Sequence, residues 1–419
     1  MRQSQLFTHT RREAPRDEAS KNAQLLIRAG YIHKEMAGVY SFLPLGWRVL
    51  ENIMRIIREE MNAIGGQEVH LSALQSRALW EQTDRWSDEK VDIWFKTTLA
   101  AGGEVGLAPT HEEPITAIMR EHIASYRDLP QLPYQIQLKF RNELRARSGL
   151  MRGREFFMKD MYTFARTEKE HEELYERVKQ AYFTIFRRLG LGDRTYLTFA
   201  SGGIFSRYSH EFQTVADIGE DTIYLDKTKG IAVNKEVLEE SVLADLGLEQ
   251  DKLEEVRAVE VGNIFSLGTR FSKALGCVFK DAEGKERHPI MGCYGIGPNR
   301  LMGLIAELFA DERGLVWPKT VAPYSAHIVA LSDEPAVKNA AEKVYQDLQQ
   351  ANIEVCYDDR DGVSAGEKLS DADLLGIPLQ LRVGLKSLKE SAVDVFDRAT
   401  GEERRVPLTQ ISETVKSAI

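Results

Sequence analysis

The chain has 419 residues, is 43% hydrophobic and carries a net charge of −9 at neutral pH. That length implies two or three domains with cores of their own and excludes a small scaffold that depends on disulfide staples. The acidic excess excludes a protein that coats nucleic acid nonspecifically, while leaving room for a local basic surface that meets phosphates.

In chain order, Met1-Arg2-Gln3-Ser4-Gln5 leads into a charged stretch without the apolar segment of a signal peptide, and no later run is long enough to cross a bilayer. A cytoplasmic protein with no membrane partner is expected. Leu50, Ile53, Met54, Ile57, Met61 and Ile64 recur at helical spacing, which predicts a helix over 47–64, preceded by Pro44 and Gly46 and ended by Gly65-Gly66. A short strand over 68–71 follows. Residues 134–140 alternate as a strand does and 155–164 roughly so, which predicts an antiparallel sheet. Thr167-Glu168-Lys169-Glu170 has the form of a capping box, opening a helix that buries Leu174, Val178, Tyr182, Ile185 and Leu189. The acidic, lysine-rich stretch 226–255 has only a weak helical pattern and reads as a modest surface insertion. An apolar helix over about 301–309 precedes Trp317-Pro318 and Ala322-Pro323. Beyond them, strands at 327–331, 353–357 and 379–383 alternate with helices at 336–352 and 364–375, the pattern of a small α/β domain. Cys277, Cys293 and Cys356 form no CxxC pair, so neither a disulfide framework nor a zinc site is expected.

Two segments carry chemistry. In the first, Lys139, Arg141, Arg145, Arg147, Arg152 and Arg154 surround a single acid, Glu143. A charge run alone is more often a solvated face, and a salt-bridged hairpin would use the same residues. An arginine and a carboxylate two apart on a strand, however, face one side. The guanidinium fork of Arg141 suits a phosphate and a carboxylate together. Glu143 can accept hydrogen bonds from an amino group such as that of adenine, and Phe156 offers a face for a base. In the second segment, Gly292-Cys293-Tyr294-Gly295-Ile296-Gly297-Pro298-Asn299-Arg300 ends a strand on glycines and starts a helix on Pro298, which places Arg300 near a positive helix terminus. It is not a dinucleotide fingerprint, because Arg300 stands where the third glycine is required. A plain strand–turn–helix explains that segment equally well on its own.

Together, residues 140–143 with 152–156 resemble motif 2 of the class II aminoacyl-tRNA synthetases, 295–300 resemble motif 3, and the helix after Pro44 with its following strand resembles motif 1. Further stretches resemble the prolyl enzymes of that class: Leu43-Pro44-Leu45-Gly46, Ala108-Pro109-Thr110-His111-Glu112-Glu113, Arg154-Glu155-Phe156-Phe157-Met158-Lys159-Asp160, Ser209-His210-Glu211-Phe212-Gln213 and Leu375-Gly376-Ile377-Pro378. The resemblance runs end to end. It implies an α+β class II catalytic domain, an antiparallel sheet flanked by helices, over 1–320. Within it, motif 1 falls at about 40–75, motif 2 at about 138–164, a short insertion at about 226–256 and motif 3 at about 290–310. A small α/β anticodon-binding domain follows over 321–419.

The resemblance also implies roles. Arg141 and Arg300 are the expected catalytic residues. Arg141, Glu143, Arg152, Phe156, Gln213 and Arg300 are expected at ATP, with Mg2+ accompanying the nucleotide, and Thr110, Glu112, Arg141 and His210 at L-proline. Arg145 and Arg147 are expected on the acceptor stem of tRNA(Pro), Arg360 and Lys368 on its anticodon, and motif 1 in a homodimer. From its residues alone, Thr110-His111-Glu112-Glu113 is equally a helix N-cap with first-turn acids, and His210 a packed strand histidine. Cys293 is by default an inert buried thiol. The sequence departs from the family at Ala146 and Ser148 in the motif 2 loop and at 198–203, and the space between motifs 2 and 3 is too short for the editing domain of many bacterial relatives. Threonyl, glycyl and histidyl enzymes share the subclass, but the cysteine and two histidines that hold zinc in the threonyl enzymes are not visible as a set. A silent nucleotide-binding paralogue need not have kept Arg141, Glu143, Phe156 and Arg300 together.

Overall fold

The computed structural model describes every residue except 145, 147, 202–207 and 419. The chain folds into two compact units, one of residues 54–145 and 153–300, the other of residues 1–53, 146–152 and 301–419.

Nine strands make one sheet in the first unit: β1 (Gln67–Glu68), β2 (Pro133–Phe140), β3 (Glu155–Ala165), β4 (Thr195–Ser201), β5 (Tyr208–Val215), β6 (Asp221–Asp226), β7 (Ile231–Asn234), β8 (Glu254–Gly268) and β9 (Ile290–Ile296). Their order is β5-β4-β7-β6-β8-β9-β3-β2-β1, with β5 also paired to β8. All pairs are antiparallel except β1 with β2 and β4 with β7. Period-2 alternation therefore gives the sheet two faces. The long helix Glu168–Arg188 covers one of them, its Tyr182 and Phe186 rings lying 5.1 and 5.4 Å from Phe212 of β5. Its N-cap is Thr167, whose hydroxyl accepts the Glu170 N–H at 3.2 Å, but the Glu170 carboxylate reaches the N–H of Arg166 rather than that of Thr167. The helix Glu112–His122 stands on the opposite face and shares an apolar cluster with Leu71, Tyr162, Phe271 and Met291 through Ile115 and Met119.

The stretch expected as a surface insertion is instead built into the sheet. Residues Ile231–Asn234 pair with β4 and β6, and Val233, Val242, Leu243 and Leu248 close a small core of their own. Its apolar residues are divided among a strand, a short 3-10 turn and one short helix, so no single period runs through them.

In the other unit, strands Ala326–Ala330, Val355–Asp358, Leu379–Val383, Ala392–Asp397 and Glu403–Pro407 form a mixed sheet. The first three are parallel and the last two antiparallel. Helices Pro335–Gln350 and Ala365–Leu375 lie within a residue or two of their expected bounds. The motif 1 helix spans Pro44–Ala63, so Pro44 and Gly46 sit inside its first turn, where a proline N–H is not needed. A Cβ at Gly46 would collide with the Tyr31 carbonyl. Gly46→Ala is therefore expected to cost about 1–3 kcal/mol, read as a lower denaturant midpoint at unchanged m-value.

Candidate active site

The site grows from the sheet face that Glu168–Arg188 leaves uncovered. Ladder pairing places Lys139 opposite Phe156, and one further bond, Arg141 N–H to the Arg154 carbonyl at 2.8 Å, extends the hairpin past Phe140. There the chain leaves the strand: the Glu143 N–H bonds back to the Arg141 carbonyl at 2.7 Å, so Arg141 and Glu143 do not share a strand face as expected. A tight turn has replaced the alternation. Arg141 stands over the Phe156 ring at 5.4 Å and donates from Nε to the Pro109 carbonyl at 3.3 Å. Among the described residues no carboxylate forms an ion pair with it. Burial, and then the like charge of Arg300, press its pKa below the ordinary arginine value.

The helix Pro298–Leu308 begins directly after β9, and its first turn carries Arg300. Arg300 Nη1 donates to the Glu260 carbonyl at 2.7 Å and lies 3.3 Å from the Glu260 carboxylate. Asn299 Oδ1 accepts the Phe157 N–H at 3.0 Å, tying this helix start to the hairpin.

Between these parts a cavity of about 300 Å³ is lined by Arg85, Thr110, Glu112, Arg141, Met158, Asp160 and Cys293, with Pro109, Asn263 and Gly295 at its edges. Glu112 accepts the Thr110 hydroxyl at 2.7 Å, meets the Cys293 thiol at 3.4 Å and lies 3.5 Å from Arg85. Burial pushes its carboxyl up, but the Arg85 charge and the Thr110 hydrogen bond outweigh burial and hold it below the ordinary value. Burial pushes the Cys293 thiol well above its usual range, as expected for an inert thiol. Arg85 carries no sequence signal: it lies in a connection before strand Phe95–Thr98, and no motif includes it.

Beneath the cavity runs a buried polar network. Lys139 Nζ donates to Asp160 at 2.7 Å and meets His111 Nδ1 at 2.8 Å, while His111 Nε2 meets the Ser72 carbonyl at 3.1 Å. A carbonyl only accepts, so Nε2 carries the proton and Nδ1 accepts from the lysine. Burial and the Lys139 charge lower the His111 pKa to about 4, which keeps the ring neutral. Asp160 is completed by Gln135 and by Tyr162, both at 2.9 Å.

The structure sorts the remaining expected residues. Gln213 faces the cavity side of the sheet with Glu211, donating to Glu211 and Asp221 at 2.8 Å each. His210, one residue before Glu211, faces the other way. Its Nδ1 meets Tyr175 of the long helix at 2.7 Å, its ring lies 4.7 Å from Phe199, and burial lowers its pKa to about 4. His210, expected at proline, thus turns toward the long helix in this structure, as its strand parity requires. Arg152 belongs to the other compact unit, and Arg145 and Arg147 lie outside the described residues. In that other unit Arg360 and Lys368 line one cavity of about 290 Å³ with Arg2, Lys338 and Asp361. Arg360 is paired to Asp358 at 2.7 Å and Asp371 at 2.9 Å, and Lys368 is buried.

Residues 94–309 match the family described as tRNA synthetase class II core domain (G, H, P, S and T), and residues 321–418 match the anticodon binding domain. The chain is 34% identical to the proline–tRNA ligase of Geobacillus kaustophilus over 568 aligned positions that cover 99% of both chains. It is 33% identical to that of Bacillus cereus strain G9842 over the full length of both. Its fold is similar to the crystal structure of the prolyl-tRNA synthetase of Cryptosporidium parvum complexed with L-proline and AMP. That match has a TM-score of 0.76 at 20% identity and covers 95% of this chain and 74% of the other.

Proposed function

This chain belongs to the proline–tRNA ligase family of class II tRNA synthetases, and from that premise we propose how its own residues carry the reaction. It is an ATP-dependent aminoacyl-tRNA ligase for proline. A proline carboxylate oxygen attacks the α-phosphorus of ATP in line, the bond to the bridging oxygen breaks and pyrophosphate leaves. The terminal ribose hydroxyl of tRNA(Pro) then attacks the carbonyl of the adenylate, and AMP leaves. No enzyme nucleophile is required, and positioning with charge stabilisation lowers the barrier.

The observation that carries the division of roles is one cavity lined by both Glu112, held ionised, and Arg141. Glu112, steadied by Thr110, takes the secondary ammonium of proline. Arg141 bridges its carboxylate and the α-phosphate. Phe156 and Arg300 enclose the adenine, Arg300 reaching the γ-phosphate, while Glu143 accepts from the adenine amino group and Gln213 completes the ATP end. Magnesium fits beside Gln213, whose Oε1 is buried without a hydrogen-bond partner. Burial and the Glu260 charge raise the Glu211 pKa, and burial raises that of Asp221, as crowded carboxylates awaiting a cation would. Gln213, with Glu211 and Asp221 beside it, would hold a magnesium ion that comes with the nucleotide, and such an ion would supply positive charge beside the phosphates.

Residues 1–320 form the catalytic domain in this proposal and 321–419 the anticodon-binding domain, with Arg360 and Lys368 at the anticodon and Arg145 and Arg147 at the acceptor stem. Motif 1 forms a homodimer, and the enzyme works in the cytoplasm. No described helix is long and apolar enough to cross a membrane.

The 568 aligned positions exceed the 419 residues of this chain, so much of the relatives' length has no counterpart in it. We therefore propose that it lacks cis-editing. Hydrophobic pockets discriminate by only about 10–200-fold per methylene, so alanine should be the leading error. Pyrophosphate exchange with all twenty amino acids tests both points: proline should lead, with alanine a detectable second, and alanyl-tRNA(Pro) should persist when incubated with the enzyme. Exchange with threonine but not proline overturns the substrate, and rapid deacylation overturns the missing editing step.

A further inference from the structure

Glu112 poses a problem that the roles above leave open. A buried carboxylate is driven to protonate, and a neutral acid does not hold an ammonium. Some fixed cation must keep it charged, and the groups facing it come from several elements. Lys139 of β2 is committed to Asp160 at 2.7 Å. Arg141 is aimed at the Pro109 carbonyl and reserved for the phosphate end. Cys293 of β9 and Tyr162 of β3 have pKa values raised by burial and stay neutral, as His111 on the same helix does. Among the described residues, the ion pair to Glu112 is that of Arg85.

Arg85 is not simply paired with Glu112. Its Nη1 is 2.9 Å from Glu113 and 3.5 Å from Glu112, so Glu113 anchors it and Glu112 receives the remainder of its field. Glu113 is itself held by the Thr83 hydroxyl at 2.8 Å. The Arg85 carbonyl accepts from Trp94 at 3.1 Å, and its guanidinium lies over the Trp80 ring at 4.9 Å. Burial raises the Glu113 pKa to about 7 despite the Arg85 charge, whereas Glu112 stays below its ordinary value, so the charge that meets an ammonium is that of Glu112. The Glu112 oxygen facing Arg85 also accepts the Thr110 hydroxyl at 2.7 Å, while its other oxygen has only the weak Cys293 thiol at 3.4 Å.

We propose that Arg85 is a positioning residue of the amino-acid end of the site: anchored by Glu113, it holds Glu112 ionised and aimed at the proline ammonium. The inference rests on the assignment of Glu112 to that ammonium, and the experiment separates the two.

Proline-dependent pyrophosphate exchange is measured on the full-length chain across acid to mildly alkaline pH. Loss of the Arg85 charge raises the carboxyl pKa, so at a given acid pH more of Glu112 is protonated. Arg85→Met is expected to move the acid limb of kcat/KM for proline up by about 1–3 pH units. Proline KM should rise about tenfold or more near the parent's acid limb, with ATP KM unchanged. If Arg85→Met does not fold, Arg85→Gln, which keeps a donor for Glu113, carries the same expectation. Arg85→Lys should bring the limb part of the way back. An unmoved limb, a rise of proline and ATP KM together without displacement, or a lysine variant no better than glutamine overturns the inference. Glu112→Gln is the control: if it leaves proline KM unchanged, the assignment of Glu112 itself fails. If it raises proline KM while the Arg85 variants do not, only the inference fails.

Discussion

Arg141→Ala is expected to lower proline-dependent pyrophosphate exchange by about 10³–10⁵-fold, the range seen when a guanidinium is removed from a phosphoryl-transfer transition state, while the protein stays as stable as the parent or becomes more so. The two halves follow from one geometry. Arg141 stands between the Phe156 ring and the Pro109 carbonyl at the end of the hairpin, and no carboxylate among the described residues is bound to it. Burial and the neighbouring Arg300 both disfavour its charge, so removing it relieves repulsion instead of leaving an ion-pair partner stranded. The charge that needs it arrives with the substrates and grows as the α-phosphate is attacked, so the loss should fall on kcat more than on KM. Arg141→Lys keeps the charge without the fork and should fall between the two. Exchange within tenfold of the parent in Arg141→Ala would refute the role. A large drop in unfolding midpoint would show that the side chain is structural.

How far the sequence foretold this site can be judged residue by residue. The hairpin, the strand–glycine–helix that carries Arg300 and the capped long helix were legible because each depends on local chemistry: alternation, Pro298 at a helix start, Thr167 at an N-cap. Arg85 was not, because its meaning lies in Glu112 and Glu113, 27 and 28 residues further on, and no local pattern joins them. Gln135, Gln137 and Lys139 alternate with apolar residues, which ordinarily marks a solvated face, yet all three are buried, Gln135 and Gln137 bonded to the Leu71 backbone and Lys139 to His111. His210 is set apart from Gln213 by strand parity. It and Gln213 have opposite parity on one strand, and only a residue of the same parity as Gln213, such as Glu211, shares its face.

That buried row gives the second large effect. Lys139→Met is expected to destabilise the fold by about 3–5 kcal/mol, the usual consequence of removing one partner of a buried ion pair. The variant leaves Asp160 with two neutral donors, Gln135 and Tyr162, and leaves His111 Nδ1 with nothing to accept from. Those losses do not stop at stability. Tyr162 also accepts the His111 N–H at 3.1 Å, and His111 is the N-cap of the helix whose first residue is Glu112. A loosened network should therefore raise proline KM while leaving ATP KM in place. The double variant Lys139→Met with Asp160→Asn removes the stranded charge together with its partner. It should recover part of the lost stability, giving a coupling energy of about 0.5–3 kcal/mol between the two positions. Denaturant midpoints of the four proteins in that cycle decide the matter. A single-variant loss below about 1 kcal/mol, or strict additivity, would mean that Lys139 and Asp160 are not the buried strut on which the amino-acid end of the site stands.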